Sequence, residues 1–246
     1  MHYIFTTFFY APLYNSLIFF ISVIPYHNVG VAVILFICVI KLILFPLSAK
    51  SVKTQFEMKR LEPELKEIKA KYKDNRQVEA EKTMQLYKEK GINPLSGVFL
   101  LLLQLPVIIA LYYVVRGNSL VTIDHTILYS FVKIPQVINP VFLGVSVFDK
   151  SFIFAILAGV TQFLQMHVTL PKTEKKNRES GTTPNFKDEL ARSMNMQMKY
   201  VMPIIIFFIA EGFPIVVSLY LITSSLFAIA QELYIRKTMM RGEPQK

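Results

Sequence analysis

The stretch VGVAVILFICVIKLILFPL, Val29 to Leu47, is nineteen residues long and holds a single charge, Lys41. At 1.5 Å per residue a helix of that length covers roughly 28 Å, close to the hydrocarbon thickness of a bilayer. The rest of the chain agrees with a membrane setting. Of 246 residues, 53% are hydrophobic and 18% charged, where soluble domains carry about 25% charged residues. The apolar residues and the charges also lie in separate blocks, which excludes a disordered chain and an ordinary soluble domain and points to an all-α polytopic membrane protein. The lone Cys38 lies in an apolar run, so there is no disulfide framework.

Working outward, Gly97–Val115 is a second span with Gln104 and Pro106 as its irregularities, and Phe152–Val168 a third, with Gln162 and Gln165 three residues apart on one face. Met196–Ile235 is too long for one helix, and Glu211-Gly212-Phe213-Pro214 supplies a turn. It divides into a short span ending near Ala210 and a longer one from Phe213. Tyr200–Ala210 is barely half a bilayer, so this span is expected in locally thin membrane or leaning on its neighbours. Upstream, Pro12 leaves Leu13–Ile24 as continuous helix, too short to cross, with Asn15, Ser16 and Ser22 gathered on one side. An interfacial helix within 1–28 is expected, and a sixth span starting near Tyr3 is the alternative. The opening MHYIFTTFF has no basic region and no small-residue cleavage site, so no removed signal peptide is expected. The expected organisation is an interfacial helix in 1–28, a first core span in 29–49, a charged hairpin in 50–96, four more spans in 97–235, and a basic tail in 236–246.

Orientation follows from the basic residues. Twelve Lys and Arg lie in 50–96, seven in 169–199 and four from 236 onward, against three in 116–151. The richer side is the cytoplasmic one, which puts the N-terminus outside and the C-terminus inside. The 50–96 segment spaces Leu61, Leu65, Ile68 and Tyr72, then turns at Lys73-Asp74-Asn75, then spaces Ala80, Met84 and Tyr87. Two antiparallel helices meeting along a narrow seam fit this pattern. A solvated connector is the plainer reading, but two spans can be joined by a few residues. The twelve basic residues against eight acidic ones suit anionic lipid or ribosomal RNA, with Lys71, Lys73 and Arg76 at the tip and Arg236, Lys237 and Arg241 in the tail as further contacts.

Lys41 precedes Lys50 by nine residues, roughly 13 Å along a straight helix, which places it inside the hydrocarbon. A charge at the bilayer centre costs about 2.5–3.5 kcal/mol on insertion scales, so it marks either a snorkelling side chain or a water-filled recess. The first three spans offer no carboxylate, and Glu211 lies in a turn on the opposite side. Gln104, Gln162, Gln165, Ser218, Thr223, Ser224, Ser225 and Gln231 are candidate companions, although each alone is as well explained by helix packing. No phosphate loop, zinc motif or nucleophile elbow is visible and the four histidines are scattered, so neither enzyme chemistry, nor a metal, nor a cofactor is expected. Nothing in the sequence calls for DNA. No inverted repeat supports a repeat-built transporter either.

The string Val39-Ile40-Lys41-Leu42-Ile43-Leu44-Phe45-Pro46-Leu47, the charged segment after it, and Leu86 through Gly97 with Gly91-Ile92-Asn93-Pro94 at its centre together resemble the YidC/Oxa/Alb family of membrane-protein insertases. The likeness continues through Gln104-Leu105-Pro106, Gly159-Val160-Thr161, Met202-Pro203, Phe213-Pro214 and Leu219-Tyr220, over roughly 10–238. It implies a five-helix core around a hydrophilic groove open to the cytoplasm, a cytoplasmic hairpin, and a basic tail that touches the ribosome in some members. The family's groove cation is usually Arg, and Lys41 stands at that position, exchanging a rigid five-donor fork for a mobile ammonium. Residues 1–28 leave no room for the large extracytoplasmic domain of some bacterial members. The implied function is insertion of nascent membrane proteins at the cell inner membrane, with lipids as partners and the ribosome and general translocon as further ones. An anion transporter or channel and a passive assembly chaperone are the alternatives.

Overall fold

The computed structural model describes residues 5–72, 75–93, 104, 106–114, 123–135, 137–169 and 186–241, and it is dominated by helices. Two compact units are present, one of residues 1–42 and 107–234, the other of 43–106 and 235–246.

The first unit opens with a π-turn, Thr6–Tyr10, that runs into α1, Ala11–Val23. Pro12 has no N–H to give and its ring crowds the carbonyl four residues back, and the wider turn, in which the Ala11 N–H donates to the Thr6 carbonyl, takes in both defects. The expected helix start at Leu13 is therefore corrected: the helix passes through Pro12. Tyr14, Leu17, Ile18 and Ile21 on α1 are buried, and so is Asn15.

Helix α2, Val29–Ile43, is capped by Asn28, whose Oδ1 accepts from the Val31 N–H at 3.1 Å. Val29, Ala32, Val33, Phe36 and Ile37 are buried at helical spacing, while Leu35, Val39 and Leu42 are exposed. An unbroken Val29–Leu47 span is not what forms. The helix stops at Ile43 and turns at Leu44, because Pro46 cannot donate to the Leu42 carbonyl and its ring crowds that carbonyl. The straight-helix distance from Lys41 to Lys50 fails with it.

Residues 106–114 are helical, with Ala110, Leu111 and Val114 buried, and apart from Gln104 the remainder of the expected second span lies outside the described residues. The segment 123–149 contains a small hairpin that the sequence did not announce. Strand β1, Val141–Phe142, pairs antiparallel with β2, Val145–Ser146, with Val141 opposite Ser146. This segment is stitched to the helices. The Val29 N–H donates to the Asn139 carbonyl at 3.0 Å, the Asn139 N–H to the His27 carbonyl at 3.1 Å, and Asn28 Nδ2 to the Val141 carbonyl at 2.7 Å. A Cβ on Gly30 would come within 2.5 Å of the Phe142 side chain, so only glycine admits this approach without displacement.

Helix α6, Phe152–Thr169, begins where the third span was expected and ends one residue beyond it. It packs on α7, Phe186–Gly212, through Ala155, Ala158 and Gly159, and a Cβ on Gly159 would lie 3.2 Å from Phe207 Cβ and 3.3 Å from the Pro203 carbonyl. Small residues at a membrane helix crossing let backbones approach in this way. Helix α7 is much longer than Tyr200–Ala210, but the added residues include Lys187, Asp188, Glu189, Arg192 and Lys199, so its apolar part stays short. Helix α8, Ile215–Arg241, runs past Ile235 into the basic tail. Among the described residues three helices are long and apolar enough to cross a membrane, Thr6–Val23, Phe152–Thr169 and Ile215–Thr238, and four if the broken Val29–Ile43 and Phe45–Met58 pair counts as one span.

In the second unit α3, Phe45–Arg60, leads to α4, Glu62–Lys71, and α5, Arg76–Glu89. Pro63 occupies the first turn of α4, where no N–H is needed, and Asn75 caps α5 by accepting from the Val78 N–H at 3.2 Å. Leu61, Leu86 and Ile92 form the buried cluster, joined by Met58, Leu65, Ile68 and Tyr87. Of the seam expected on α5, Tyr87 packs on this cluster, whereas Ala80 and Met84 are exposed and Glu79 and Leu86, seven residues apart, are buried.

Candidate functional site

Lys41 occupies the last turn of α2, half-buried, where the partial negative charge of the helix end favours a cation. The first unit also holds Gln162 and Gln165 on α6 and Thr223, Ser224 and Ser225 on α8, all half-buried except Ser225, which is 2% exposed. Two of these meet directly. Ser225 Oγ donates to Gln162 Oε1 at 3.2 Å, joining residues 63 apart in sequence. One residue before Gln162, the buried Thr161 hydroxyl turns back onto the Leu157 carbonyl at 2.9 Å, the usual way a membrane helix satisfies a hydroxyl. Ser218 is buried as well, with Oγ 3.5 Å from the Ala210 carbonyl. Gln231 is 8% exposed, and its Nε2 has no partner among the described residues.

Gln104 falls in the second unit. Buried Glu232 on α8, 4% exposed, escaped the sequence reading. Its signal in the sequence is a carboxylate inside the expected Phe213–Ile235 span. Lys71 and Arg76 are exposed at the ends of α4 and α5 that adjoin their connection, with Lys71 Nζ 5.8 Å from the Tyr72 ring centre, and Lys73 lies outside the described residues. Burial pushes the Tyr87 hydroxyl on α5 above its ordinary pKa. Arg236 places its guanidinium 5.3 Å from the Phe56 ring centre, so it is engaged within the second unit, whereas Lys237 is exposed. Arg241 is the last residue of α8, and its side chain lies outside the described residues. Among the described residues no group of three His, Cys, Asp or Glu side chains could hold a metal ion.

Apolar helices thus carry a part-buried amide–hydroxyl pair, with a half-buried lysine in the same unit. The profile of the family described as 60Kd inner membrane protein matches residues 19–243, nearly the whole chain. The chain belongs to the YidC insertase family. It is 34% identical over 210 residues to the protein named membrane protein insertase YidC of Fusobacterium nucleatum, covering 85% of this chain and 87% of that one. It is 32% identical over 221 residues to the YidC of Chlorobium limicola and 31% over 205 residues to that of Francisella tularensis subsp. novicida, covering 35% and 32% of those proteins. The chain therefore spans most of the first relative and about a third of the length of the other two. Like other YidC-family chains it is a multi-pass, helical membrane protein.

Proposed function

We propose that this insertase moves hydrophobic segments of newly made proteins from the cytoplasm into the bilayer through a polar recess on the first unit, lined by Lys41, Gln162, Gln165, Thr223, Ser224 and Ser225. The supporting observation is the Ser225–Gln162 hydrogen bond between two otherwise apolar helices, within the same unit as Lys41. No bond is made or broken in such a process. A hydrated, cationic recess shortens the low-dielectric path for a substrate's polar or acidic leading segment, while burial of the substrate's own apolar side chains and the membrane potential supply the drive. The short apolar part of α7 thins the bilayer beside the recess. The N-terminus lies outside and the C-terminus in the cytoplasm. There the α4–α5 pair with Lys71, Lys73 and Arg76, and the end of α8 with Arg236, Lys237 and Arg241, meet anionic lipid, the ribosome and the translocon.

Purified protein in liposomes is assayed for insertion of a single-span substrate with an acidic tail and of one with a neutral tail. Lys41→Arg retains activity on both. Lys41→Glu loses about tenfold on the acidic tail alone, the equivalent of roughly 1.4 kcal/mol of like-charge repulsion. Full activity of Lys41→Leu on both substrates removes Lys41 from the recess, and failure of the unmodified protein to insert either substrate removes autonomous insertion.

A further inference from the structure

Three residues other than glycine have positive φ among the described ones: Tyr26 at 62°, His27 at 50° and Leu143 at 50°. The His27 ring is tied down, with Nδ1 2.9 Å from the Ile21 carbonyl. Tyr26 and Leu143 are instead the two most exposed large apolar residues described, at 88% and 79%. Leu143 and Gly144, at φ 50° and 82°, make the two-residue turn between β1 and β2, and the first position of such a turn ordinarily goes to Asn, Asp or Gly. Placing leucine there strains the backbone and shows its side chain to the surroundings, which is unfavourable twice over in water.

The two turns form one edge. Val29 and Asn139, Asn139 and His27, and Asn28 and Val141 are linked by hydrogen bonds, and Gly30 lies against Phe142. This network holds Tyr26 and Leu143 outward on the side of the first unit where α1 ends and α2 begins. The hairpin adjoins the start of α6, where the Phe142 and Phe154 ring centres lie 6.4 Å apart and Phe152 and Ile153 are 62% and 69% exposed, a surface that faces lipid if α6 spans. A charge pattern that would suit a protein or nucleic-acid partner is missing, because from residue 126 to 148 Lys133 is the single Lys, Arg, Asp or Glu.

We propose that the Tyr26 and Leu143 turns together dip into the boundary between headgroups and hydrocarbon of the adjacent leaflet, fixing the depth of the first unit in the bilayer. A tyrosine at such a boundary buries its ring and keeps its hydroxyl wet, and a leucine at the tip gains the apolar surroundings that its strained position otherwise wastes. The inference rests on the reading that α2 and α6 cross the membrane, and its test separates the two.

In a Cys38→Ala background, cysteines at Tyr26, Leu143 and, as a control on the exposed face of α6, Leu157 are labelled with bimane. The full-length protein is placed in phosphatidylcholine–phosphatidylglycerol vesicles carrying nitroxide lipids with shallow or deep spin labels. The expected result is a blue shift at positions 26 and 143 on transfer from detergent-free buffer-exposed peptide standards to vesicles, with stronger quenching by the shallow label, and stronger quenching by the deep label at position 157. Deep quenching at 157 without quenching at 26 and 143 overturns the proposal and leaves the spanning reading intact. Absence of quenching at all three overturns both. Leu143→Asn, which suits the turn better, keeps the fold and weakens shallow quenching at position 26, and an unchanged signal there counts against a shared edge.

Discussion

The connections on either side of the expected second span obey different rules. The α4–α5 pair carries most of its charges on exposed faces, with Glu79 buried, and is held by a cluster of a few apolar side chains, supplemented by the Glu64–Lys90 ion pair at 3.3 Å, both of whose side chains are nearly half exposed. Such a pair contributes about 0–1 kcal/mol. The segment 123–149 has few charges and almost no regular structure, yet side chains of the helices hold its backbone at several points. One connection is built from helices around an apolar cluster of its own, and the other is fastened to the helices of the first unit by side chains. Net secondary structure is a poor guide to which is fixed, because the fastening comes from polar side chains that reach backbone groups across long sequence separations.

The strongest fastening is Asn15. From a buried position on α1 its Nδ2 donates to the Ala11 carbonyl at 2.8 Å and the Ile127 carbonyl at 2.9 Å, and its Oδ1 accepts from the Tyr129 N–H at 2.6 Å. Asn15→Ala takes their side-chain partner from two part-buried backbone groups of the segment, at a cost of about 1–3 kcal/mol. We expect a lowered thermal midpoint in detergent and faster amide exchange at Tyr129, with no comparable change in residues 76–92. An unchanged midpoint would show that the segment is held by other contacts and would break the comparison at its stronger side.

Little of this fastening was legible in the sequence. Asn15 reads as one of three polar residues on a helix, and nothing near it points to Ile127, 112 residues away. What was legible is what depends on neighbours along the chain: the start of α6 at Phe152 and the break in the charged segment just before α5. The effect of a proline on its helix is felt upstream of the residue itself. Pro12 was absorbed by a π-turn and Pro46 broke α2 two residues ahead of itself, since each acts on the carbonyl four residues back. In the candidate site Lys41 stood out by its charge in an apolar run, whereas the pairing of Gln162 with Ser225 depends on how α6 and α8 cross. The Leu143-Gly144 turn was hidden because its first residue is not the one this turn type prefers.

A smaller and local effect is expected in the helix pair. Leu86, 7% exposed, is the contribution of α5 to the cluster with Leu61 and Ile92. Leu86→Ala removes burial from a cluster of only three buried side chains, so the loss is set near 1.4 kcal/mol, below the usual range for a large core. That corresponds to about tenfold faster amide exchange over residues 76–92. The main unfolding transition of the first unit should not shift. A shift as large as that of Asn15→Ala would mean that the pair is part of the same cooperative structure, and the contrast between the two connections would fail.

The smallest effect belongs to Asp124, at the beginning of the fastened segment. Its Oδ1 accepts from the Thr126 hydroxyl at 2.6 Å and from the Thr126 N–H at 2.9 Å, and these bonds, the side-chain one first, hold its carboxyl below the ordinary carboxylate pKa of 3.8. The Asp124 N–H in turn donates to the Tyr14 hydroxyl at 3.0 Å, which connects this turn to α1. A group whose pKa is lower folded than unfolded adds stability above the unfolded value and loses it as the pH falls through the folded one. The contribution is therefore complete near neutral pH, fades once the pH drops to the ordinary carboxylate range, and is gone below the folded pKa. The carboxylate is exposed and solvent screens it, so the expected change is a loosening of residues 123–127 and not of the bundle. Amide exchange at Thr126, corrected for the intrinsic pH dependence, should rise on acidification in the unmodified protein and be already raised and flat across the same range in Asp124→Asn. An identical pH profile in the two proteins would show that the turn is held by the Tyr14 contact alone.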